Sequence, residues 1–278
     1  MERSDGKIKQ ASRKWWHTNP MVYDWEKTLR AQEGTPEFYR EIDRRLHEAL
    51  PEMHADGSYS SVLNGENPEG KRVLIIGCGA GVEVEAFASR KALVTAVDLT
   101  ERSIHLTATR LQIKGLDAAL LVGDAEGLPF KDEAFDLVWS WGVIHHSPNM
   151  TCSAREIYRV LKSGGKTMIM VYRRDSINYW IGLMFIRGIL MGKVITMSPQ
   201  EICNRYSDGC LAKYYSPKMI RDLFGHFRSI DFRGFSQLGG VYPLPRRVRK
   251  WFAGLMPEGL TQCLKRNAGD FLFFEARK

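Results

Sequence analysis

Three closely spaced glycines form the first pattern with a chemical meaning. Gly77, Gly79 and Gly81 follow the apolar run VLII and precede a segment with helical character. Glycine lets the backbone turn sharply and approach a bound ligand closely. The dinucleotide fingerprint G-x-G-x-x-G/A does not fit, because its sixth position is Val82, and no Gly-Lys-Ser/Thr follows to make a Walker-type phosphate loop. The glycines therefore predict a ligand loop of another kind.

Two aspartates stand at the ends of the next two apolar runs. Asp98 comes 19 residues after Gly79, and Asp124 follows the run after that, in GDAEGLPF. A carboxylate at the first position can accept hydrogen bonds from both ribose hydroxyls of a nucleoside. A second carboxylate at the next strand end suits an adenine amino group. Because ligands of parallel α/β sheets bind at the carboxyl ends of the strands, the pattern predicts a nucleoside site.

The elements that would position these residues alternate regularly. Thr100 is a predicted helix cap, and Gly115 is the predicted stop of the same helix. Short apolar runs that alternate with helices are typical of a parallel sheet covered on both faces. The predicted strands are 72–76, 93–97, 118–122, 135–140 and 166–172, and the predicted helices are 81–90, 100–114 and 151–162, the last followed by a Ser-Gly-Gly turn.

The flanking segments predict additional layers. Residues 11–50 are predicted to be helical, with Thr35 as a cap and Pro36 at the first helical position. Strand-like segments return at 229–236 and 270–276, on either side of the basic stretch PLPRRVRKWF. We divide the chain into an N-terminal helical cap or lid at 1–60, a cofactor-binding core at 61–175, a helical acceptor-lid insertion at 176–226 and C-terminal strands that complete the core at 227–278.

Composition limits the classes of protein that the chain can represent. The chain has 278 residues, 44% of them apolar, with a formal net charge of +8. The apolar fraction favours a globular protein, and the net charge favours anionic partners, although lysines and arginines spread along the whole chain indicate a solvated basic surface first. The five cysteines contain no CxxC pair, so their spacing indicates neither a disulfide framework nor a zinc site, and no metal is expected. The N-terminus lacks an apolar signal segment, and we expect a reducing, cytoplasmic location.

Five segments in order now point to one family: VLIIGCGAG, the strand that ends in Asp98, GDAEGLPF, FDLVWSWGVIHH and YRVLKSGGKTMIM. Together they resemble the class I S-adenosylmethionine-dependent methyltransferases. The resemblance is strongest to the type-11, or ubiquinone/menaquinone-biosynthesis-like, branch that acts on small molecules. It covers residues 72–172 and extends loosely to WWHTNPMVYDW, TPEFYREIDRRL and the last strand.

The resemblance implies a fold, a cofactor and a set of cofactor contacts. The fold would be a Rossmann-like, doubly wound, seven-stranded sheet with an antiparallel last strand, an N-terminal helical cap and a helical insertion after the fifth strand. The cofactor would be S-adenosylmethionine, with S-adenosylhomocysteine as its product. One departure is Ile75, which stands where the family often has an acidic residue behind the methionine amino group. The implied contacts are Gly77, Cys78, Gly79 and Gly81 for methionine, Asp98 for ribose, Leu99, Asp124 and Ala125 for adenine, and Trp141 and Gly142 after the fourth strand.

The acceptor side is predicted from residues near the same edge. Methyl transfer depends mainly on alignment, which can supply about 7–11 kcal/mol. A general base adds roughly 10²–10⁴-fold where the nucleophile carries a proton, and His145 and His146 are the candidates for that role. Oxygen, nitrogen, sulfur, carbon and metalloid acceptors are all compatible with the pattern. The predicted acceptor and lid residues are Trp16, Tyr23, Tyr172, Arg173, Tyr206 and Tyr214, and Trp15 and Trp25 add to the aromatic density near the first two.

The segment Tyr179 to Ile195 is apolar but contains Arg187, Gly188 and Lys193. Its 17 residues are shorter than a membrane span of about 20. It is predicted to be a buried or interface helix, and a homodimer contact or a position on a membrane surface remains open. The basic and aromatic sequence RRVRKWF allows a solvated helix, a phosphate contact or a peripheral membrane contact.

Other functions remain open beside a small-molecule methyltransferase. The chain has Ser140-Trp141-Gly142-Val143 where amino-methylating DNA and RNA enzymes carry Asn/Asp-Pro-Pro-aromatic, which disfavours a nucleic-acid acceptor. A methyltransferase acting on RNA or on a membrane-associated lipid or quinone is the first alternative. A non-catalytic S-adenosylmethionine-binding protein and a nicotinamide-dependent oxidoreductase are the others.

Overall fold

The computed structural model describes residues 2–23, 29–50, 63, 66–244 and 246–278. Trp25 and most of the loop predicted at 56–70 lie outside the described residues. The chain divides into two compact units. The glycine-loop unit comprises Arg13–Ser140, Cys152–Thr167 and Lys278, and the C-terminal unit comprises Met1–Ser12, Trp141–Thr151 and Met168–Arg277. The predicted division of the chain into four segments stays a prediction.

The predicted α/β sheet is confirmed. Within the described residues its hydrogen-bonded order is β3-β2-β1-β4-β5-β8-β7, and the short β6 pairs with β5. The predicted count of seven strands was one too low, because a two-residue strand in the insertion was not foreseen. The strands are β1 Arg72–Ile76, β2 Leu93–Asp98, β3 Ala119–Val122, β4 Phe135–Trp141, β5 Leu161–Arg173, β6 Tyr214–Tyr215, β7 Ser229–Phe235 and β8 Phe271–Arg277.

The central strand β1 is flanked by parallel neighbours on both sides. Ile75 lies opposite Ala96 of β2 and opposite Trp139 of β4. Residues Val73 to Ile76 are buried, as expected for a strand of branched aliphatic residues that is covered on both faces. By contrast, β7 and β8 pair in an antiparallel ladder from Ser229 opposite Arg277 to Phe235 opposite Phe271. The predicted antiparallel last strand is therefore confirmed.

The helices of the first 120 residues begin and end at local signals. The Thr35 hydroxyl accepts a hydrogen bond from the Phe38 amide, and the Thr100 hydroxyl accepts one from Ser103. Gly115 ends its helix in the left-handed conformation, as predicted. Residues 11–50 were predicted to be helical with a helix start at Thr35, and the start is confirmed, but the described residues 19–23 and 29–35 are not helical. The helices here are α1 Glu2–Thr18, α2 Pro36–Ala49, α3 Val82–Ala88 and α4 Glu101–Lys114.

The boundary between the fifth helix and the fifth strand differs from the prediction. Helix α5 runs over Met150–Val160, and β5 begins at Leu161 rather than after the Ser-Gly-Gly segment. A Cβ atom on Gly165 would lie 2.9 Å from the Lys162 oxygen and 3.1 Å from the Asp136 oxygen. The glycine therefore allows close backbone approach within the strand, and the segment is not a separate turn.

The predicted helical insertion after β5 is confirmed in the C-terminal unit. Its first element is a π-helix, Asn178–Leu190, followed by a 3₁₀ turn over Lys193–Ile195. Tyr179 and Leu183 of the π-helix pack with Ile202 and Cys203. The remaining helices of the unit are α6 Pro199–Tyr206, α7 Pro217–Leu223, α8 Leu238–Val241, α9 Arg246–Leu255 and α10 Glu258–Ala268.

Candidate functional site

The glycine loop between β1 and α3 has a left-handed backbone at three positions. The φ angles of Gly77, Gly79 and Gly81 are 78°, 52° and 81°. A Cβ atom on Gly81 would lie 3.1 Å from the Cα of Thr107, so this glycine is also required for packing against α4. A Cβ atom on Gly79 would meet no atom within 4 Å among the described residues. Gly79 thus faces open space that a ligand can fill. Because Gly81 is left-handed, α3 begins one residue later than predicted.

Asp98 holds this loop in place. One oxygen of its carboxylate accepts a hydrogen bond from the Gly79 amide at 3.1 Å. The other oxygen accepts from the amide and the hydroxyl of Thr100, at 2.9 and 3.0 Å. Burial raises the pKa of Asp98, and these hydrogen bonds act in the opposite direction. The sequence predicted a ribose contact here but did not indicate that the same carboxylate fixes the loop.

The other predicted cofactor residues of the glycine-loop unit lie at strand ends. Asp124 accepts a hydrogen bond from the Glu126 amide at 2.9 Å, and its side chain is half-buried beside the half-buried Ala125. The Leu99 carbonyl accepts a hydrogen bond from Nε of Arg13 at 2.8 Å. Cys78 is buried within the loop, and burial raises the pKa of its thiol. These residues follow β1, β2 and β3, so their placement along the sheet agrees with the predicted site.

Two predicted lid residues also belong to the glycine-loop unit. Trp16 is half-buried in the last turns of α1, with its ring 4.5 Å from that of Trp15. Tyr23 has a φ of 55°, and its carbonyl accepts a hydrogen bond from Arg45. Burial, and then the nearby carboxylate of Glu83, raise the pKa of the Tyr23 phenol. Sequence reasoning missed Glu83, a buried acid in the first turn of α3; the sequence Gly-Val-Glu after the loop was the available signal.

The two candidate histidines lie in the C-terminal unit, next to an aromatic cluster. The His145 ring is 4.1 Å from those of His146 and Tyr172, centroid to centroid. His145 is fully buried, and within the described residues neither of its ring nitrogens has a hydrogen-bond partner. Burial, and then His146, hold its pKa well below the usual value. Nδ1 of His146 lies 2.6 Å from the Leu211 carbonyl and donates to it, and burial lowers the His146 pKa to about 4. Both imidazoles are therefore neutral at physiological pH.

The predicted tyrosines extend this cluster. The Tyr172 ring is 5.1 Å from that of Tyr214, and its hydroxyl donates to Asp208 at 3.5 Å. Burial, followed by the Asp208 carboxylate, raises the pKa of Tyr172. The Tyr214 hydroxyl shares a 2.7 Å hydrogen bond with Ser207. Asp208, which stands between Tyr206 and Tyr214 in the sequence, was not predicted as a site residue.

The remaining predicted residues of the C-terminal unit have defined structural partners. The Arg173 guanidinium forms an ion pair with the Asp175 carboxylate at 2.9 Å. Its charge is therefore balanced within the chain, without a bound methyl acceptor. The Tyr206 ring lies 4.5 Å below the guanidinium carbon of Arg187. The structure thus places Arg173 and Tyr206 in local contacts, and their predicted acceptor roles stay predictions.

Trp141 ends β4 and Gly142 follows it, and both residues belong to the C-terminal unit. The Trp141 ring lies 6.0 Å from that of Phe273 and 6.3 Å from that of Phe235. Gly142 has a φ of 70°, and its amide donates to the Met170 carbonyl at 3.2 Å. The left-handed turn explains why glycine follows the strand at this point. The predicted cofactor contact of both residues stays a prediction.

Two further properties concern the part of the chain that the structure describes. There, no group of three or more histidine, cysteine, aspartate or glutamate side chains is arranged to hold a metal ion. None of the helices in these same ranges has both the length and the apolar character needed to cross a membrane.

The sequence is similar to curated methyltransferases over its central part. Residues 74–169 match the Methyltransf_11 family, described as a methyltransferase domain. The ubiquinone biosynthesis O-methyltransferase of Pseudomonas entomophila is 31% identical over 122 residues, which cover 44% of this chain and 53% of that protein. The fatty-acid O-methyltransferase of Mycolicibacterium smegmatis is 38% identical over 109 residues, 38% of this chain and 39% of that protein. The chain thus spans about half the length, or less, of these relatives.

Solved structures share the fold at lower identity. The YcgJ protein of Bacillus subtilis has a TM-score of 0.52 and 19% identity, covering 78% of this chain and 95% of that one. A phosphoethanolamine N-methyltransferase of Haemonchus contortus, solved with S-adenosylhomocysteine, has a TM-score of 0.53 and 19% identity, covering 78% and 51%. The family match, the sheet order and the left-handed glycine loop agree with one another. Residues 74–169 therefore resemble a methyltransferase domain in sequence, and the sheet has the fold of the S-adenosylmethionine-dependent methyltransferases.

Proposed function

We propose that the protein is an enzyme that transfers a methyl group from S-adenosylmethionine to a small-molecule acceptor. One observation carries the proposal: the Asp98 carboxylate holds the left-handed Gly79 amide at 3.1 Å. This contact joins the glycine loop to the end of β2, where a nucleoside ribose would be recognised. The open space at Gly79 supports the fit, because a side chain there would occupy the place of the ligand.

The proposed cofactor contacts follow from this arrangement. Asp98 would accept the ribose hydroxyls, Leu99 would cover the adenine, and Asp124 would accept from the adenine amino group. Trp141 and Gly142 are proposed as contacts on the family resemblance alone. Ile75 is fully buried between two strands and offers no polar atom to the methionine group. Glu83, in the first turn after the loop, is a buried carboxylate from the same part of the chain.

The proposed reaction is an in-line displacement. S-adenosylmethionine, when bound, supplies a methyl group on a positively charged sulfur that an acceptor nucleophile can displace. The rigid glycine loop would fix the methionine portion, so that alignment lowers the barrier. This role needs a fixed backbone, and the loop hydrogen bonds, among them Gly77 N to Val97 O at 2.7 Å, support it.

His145 is the stronger of the two proposed proton acceptors. Nδ1 of His146 already donates to a backbone carbonyl at 2.6 Å, whereas neither ring nitrogen of His145 has such a partner among the described residues. A pKa held well below the usual value makes His145 a weak base. We therefore expect an acceptor whose nucleophile needs little help to ionise, such as a carboxylate or an acidic phenol.

An apolar acceptor is the specific candidate within the small-molecule class. The two relatives described above are named for ubiquinone biosynthesis and for fatty acids, which favours a lipid-like or quinone-like molecule. Such an acceptor would be met at a membrane, so we propose a peripheral membrane contact with it. A cytoplasmic location is proposed as well, supported by five free cysteines. Homodimerisation through residues 179–195 is the alternative to a membrane contact by these residues.

Calorimetric titration tests the proposed function directly. We expect S-adenosylmethionine and S-adenosylhomocysteine to bind and NADH not to bind. Asp98→Asn should weaken binding of both sulfur nucleosides, whereas Asp117→Asn, an exposed acid of the same unit, should not change it. Binding of NADH instead would favour the oxidoreductase. Binding of the sulfur nucleosides without methyl transfer across carboxylate, phenol and RNA acceptors would favour the non-catalytic alternative.

A further inference from the structure

We propose that the C-terminal unit binds an anionic membrane surface through an exposed apolar face on the insertion after β5. This inference deepens the proposed function and rests on it, because an apolar acceptor would be reached at the membrane surface. Eight large apolar side chains of the π-helix and the following turn are more than two-fifths exposed, with Ile195 at 85% and Leu190 at 66%. The apolar face consists of Trp180, Ile181, Phe185, Ile189, Leu190, Met191, Val194 and Ile195.

The apolar face belongs to a helix that is firmly packed on its other side. Tyr179 and Leu183 are buried against Ile202 and Cys203 of α6. A Cβ atom on Gly188 would lie 3.5 Å from Ile202, so the helix backbone approaches α6 closely at this position. The helix is therefore held in one orientation, and its second apolar side is presented outward. A helix that is apolar all round is typical of an environment that is itself apolar.

A second element of the same unit also exposes large apolar side chains. Helix α9 exposes Trp251 at 67%, together with Leu255 and Val248. A Cβ atom on Gly182 of the π-helix would lie 3.4 Å from Cβ of Pro243, just before α9. The chain that leads into α9 is thus in contact with the π-helix. Both elements carry an exposed tryptophan, the residue that is enriched at membrane–water interfaces.

The charges in both segments have one sign. Residues 176–200 contain Arg187 and Lys193 and no acidic residue. Residues 241–257 contain four cationic residues, at positions 246, 247, 249 and 250, and again no acidic residue. The two segments together contribute six cations and no carboxylate to the sequence, and such a charge complements a membrane that carries anionic lipids.

The same charges argue against a second copy of the chain as the occupant. In a two-fold dimer each surface meets a copy of itself, so the surplus of positive charge in these segments would meet the same surplus on the other copy. Lipid headgroups with negative charge relieve that repulsion, whereas a like surface increases it. A spanning helix is also excluded for the described residues, because none is long and apolar enough. The surface therefore fits a helix that lies in the plane of the membrane interface.

Vesicle co-sedimentation of the full chain tests this proposal. The probes are vesicles of phosphatidylcholine alone and of phosphatidylcholine with phosphatidylglycerol. We expect binding to the anionic vesicles that decreases at high salt, and much weaker binding to the neutral ones. Leu190→Glu with Ile195→Glu should lower the vesicle affinity about a hundredfold, since each buried side chain of this size contributes roughly tenfold or more. Ile113→Glu, an exposed apolar position of α4, is the matched control and should bind as the original chain does.

A second readout identifies the residues that enter the lipid. Brominated lipid should quench tryptophan fluorescence, and Trp180→Phe and Trp251→Phe should each remove part of that quenching. Absence of vesicle binding, or equal binding by the double variant, overturns the proposal. A particle mass that falls from dimer to monomer in the double variant, measured by light scattering, also overturns it and assigns the face to a second copy. S-adenosylmethionine titration of the same variants separates a failure of membrane binding from a failure of the proposed function, because the substitutions lie outside the glycine-loop unit.

Discussion

The glycine loop allows a test in which three similar substitutions have different expected results. Gly79, Gly81 and Gly115 all have left-handed backbones, with φ angles of 52°, 81° and 63°. Alanine in this region costs about 1–2 kcal/mol of stability wherever it is placed. The three positions differ in what the added methyl group would meet, and that difference separates strain from steric overlap and from ligand contact.

The expected magnitudes follow from the contacts. A Cβ atom on Gly81 would lie 3.1 Å from Thr107 Cα and 3.2 Å from Arg110 Cδ, whereas no described atom lies within 4 Å at Gly79 or Gly115. Overpacking adds about 1–3 kcal/mol. We therefore expect Gly81→Ala to lower the free energy of unfolding by about 2–5 kcal/mol. Gly79→Ala and Gly115→Ala should each lower it by about 1–2 kcal/mol.

Cofactor binding should distinguish the two milder variants. Gly79→Ala places a methyl group where the methionine part of the cofactor is proposed to lie, and overlap of about 1–3 kcal/mol corresponds to roughly 5- to 150-fold weaker binding. Gly115→Ala, at the end of α4, should bind S-adenosylmethionine as the original chain does. Urea unfolding measures the stabilities, and calorimetry measures the dissociation constants.

Two results would refute this reasoning. Equal affinity of Gly79→Ala and Gly115→Ala for S-adenosylmethionine would mean that the cofactor does not lie against the loop. Equal stability of Gly81→Ala and Gly115→Ala would mean that the approach of α4 to the loop is not tight. Each result concerns a different contact, so one can fail without the other.

Three further predictions concern charge. Arg110→Met should lower the free energy of unfolding by about 1.5–3 kcal/mol, because it removes the hydrogen bonds of a buried guanidinium to carboxylates of α2 and α3. Arg40→Met, at an exposed ion pair, should change it by less than about 1 kcal/mol. His146 has a depressed pKa of about 4, so the unfolded chain binds a proton at this residue more readily than the folded chain does. The free energy of unfolding should therefore fall by up to roughly 3 kcal/mol as the pH falls from about 6.5 towards 4. His146→Gln should abolish this loss. The raised Asp270 pKa of about 6 acts oppositely, so Asp270→Asn should gain stability relative to the original chain as the pH rises from about 4 to 7.

The checks on these predictions are urea titrations across pH. The neutral side chain of His146 is packed against His145 and hydrogen-bonded to the Leu211 carbonyl, and the Asp270 carboxylate accepts from the Ser236 hydroxyl and the Gln237 amide. An acid-induced loss that persists in His146→Gln would assign it to other groups, His145 first. A parallel pH curve for Asp270→Asn would show that this carboxyl titrates alike in the folded and unfolded chain. Equal effects of Arg110→Met and Arg40→Met would contradict the buried ion-pair argument.

Much of the fold could be predicted because its signals are local. The caps at Thr35 and Thr100 and the stop at Gly115 depend on residues within one helical turn, and all three were confirmed. The parallel sheet followed from the alternating apolar runs and helices, and the antiparallel last strand followed from the family resemblance. The strand start at Leu161 could not be predicted in this way, because Gly165 is needed for approach to Asp136, which is distant in the sequence.

For the site, the sequence could predict where the residues stand along the chain, and their roles stay predictions. Strand ends locate the glycine loop, Asp98 and Asp124, since their positions depend on the alternation. The two-residue strand at Tyr214–Tyr215 depends on pairing with Tyr172 and Arg173 and leaves no periodic pattern of its own. The isolation of His145 from any hydrogen-bond partner among the described residues is likewise a product of packing, which no spacing in the sequence encodes.

The buried thiol of Cys78 gives the glycine loop a chemical reporter. Thiolates react with alkylating reagents, and burial that raises the pKa of Cys78 keeps its sulfur both protonated and covered. Cys263 is exposed on α10 and should react first. Labelling of Cys263 under native conditions can therefore attach a probe without touching the loop. The slower labelling of Cys78 then measures how often the loop opens, and a bound sulfur nucleoside should lower the rate of that labelling.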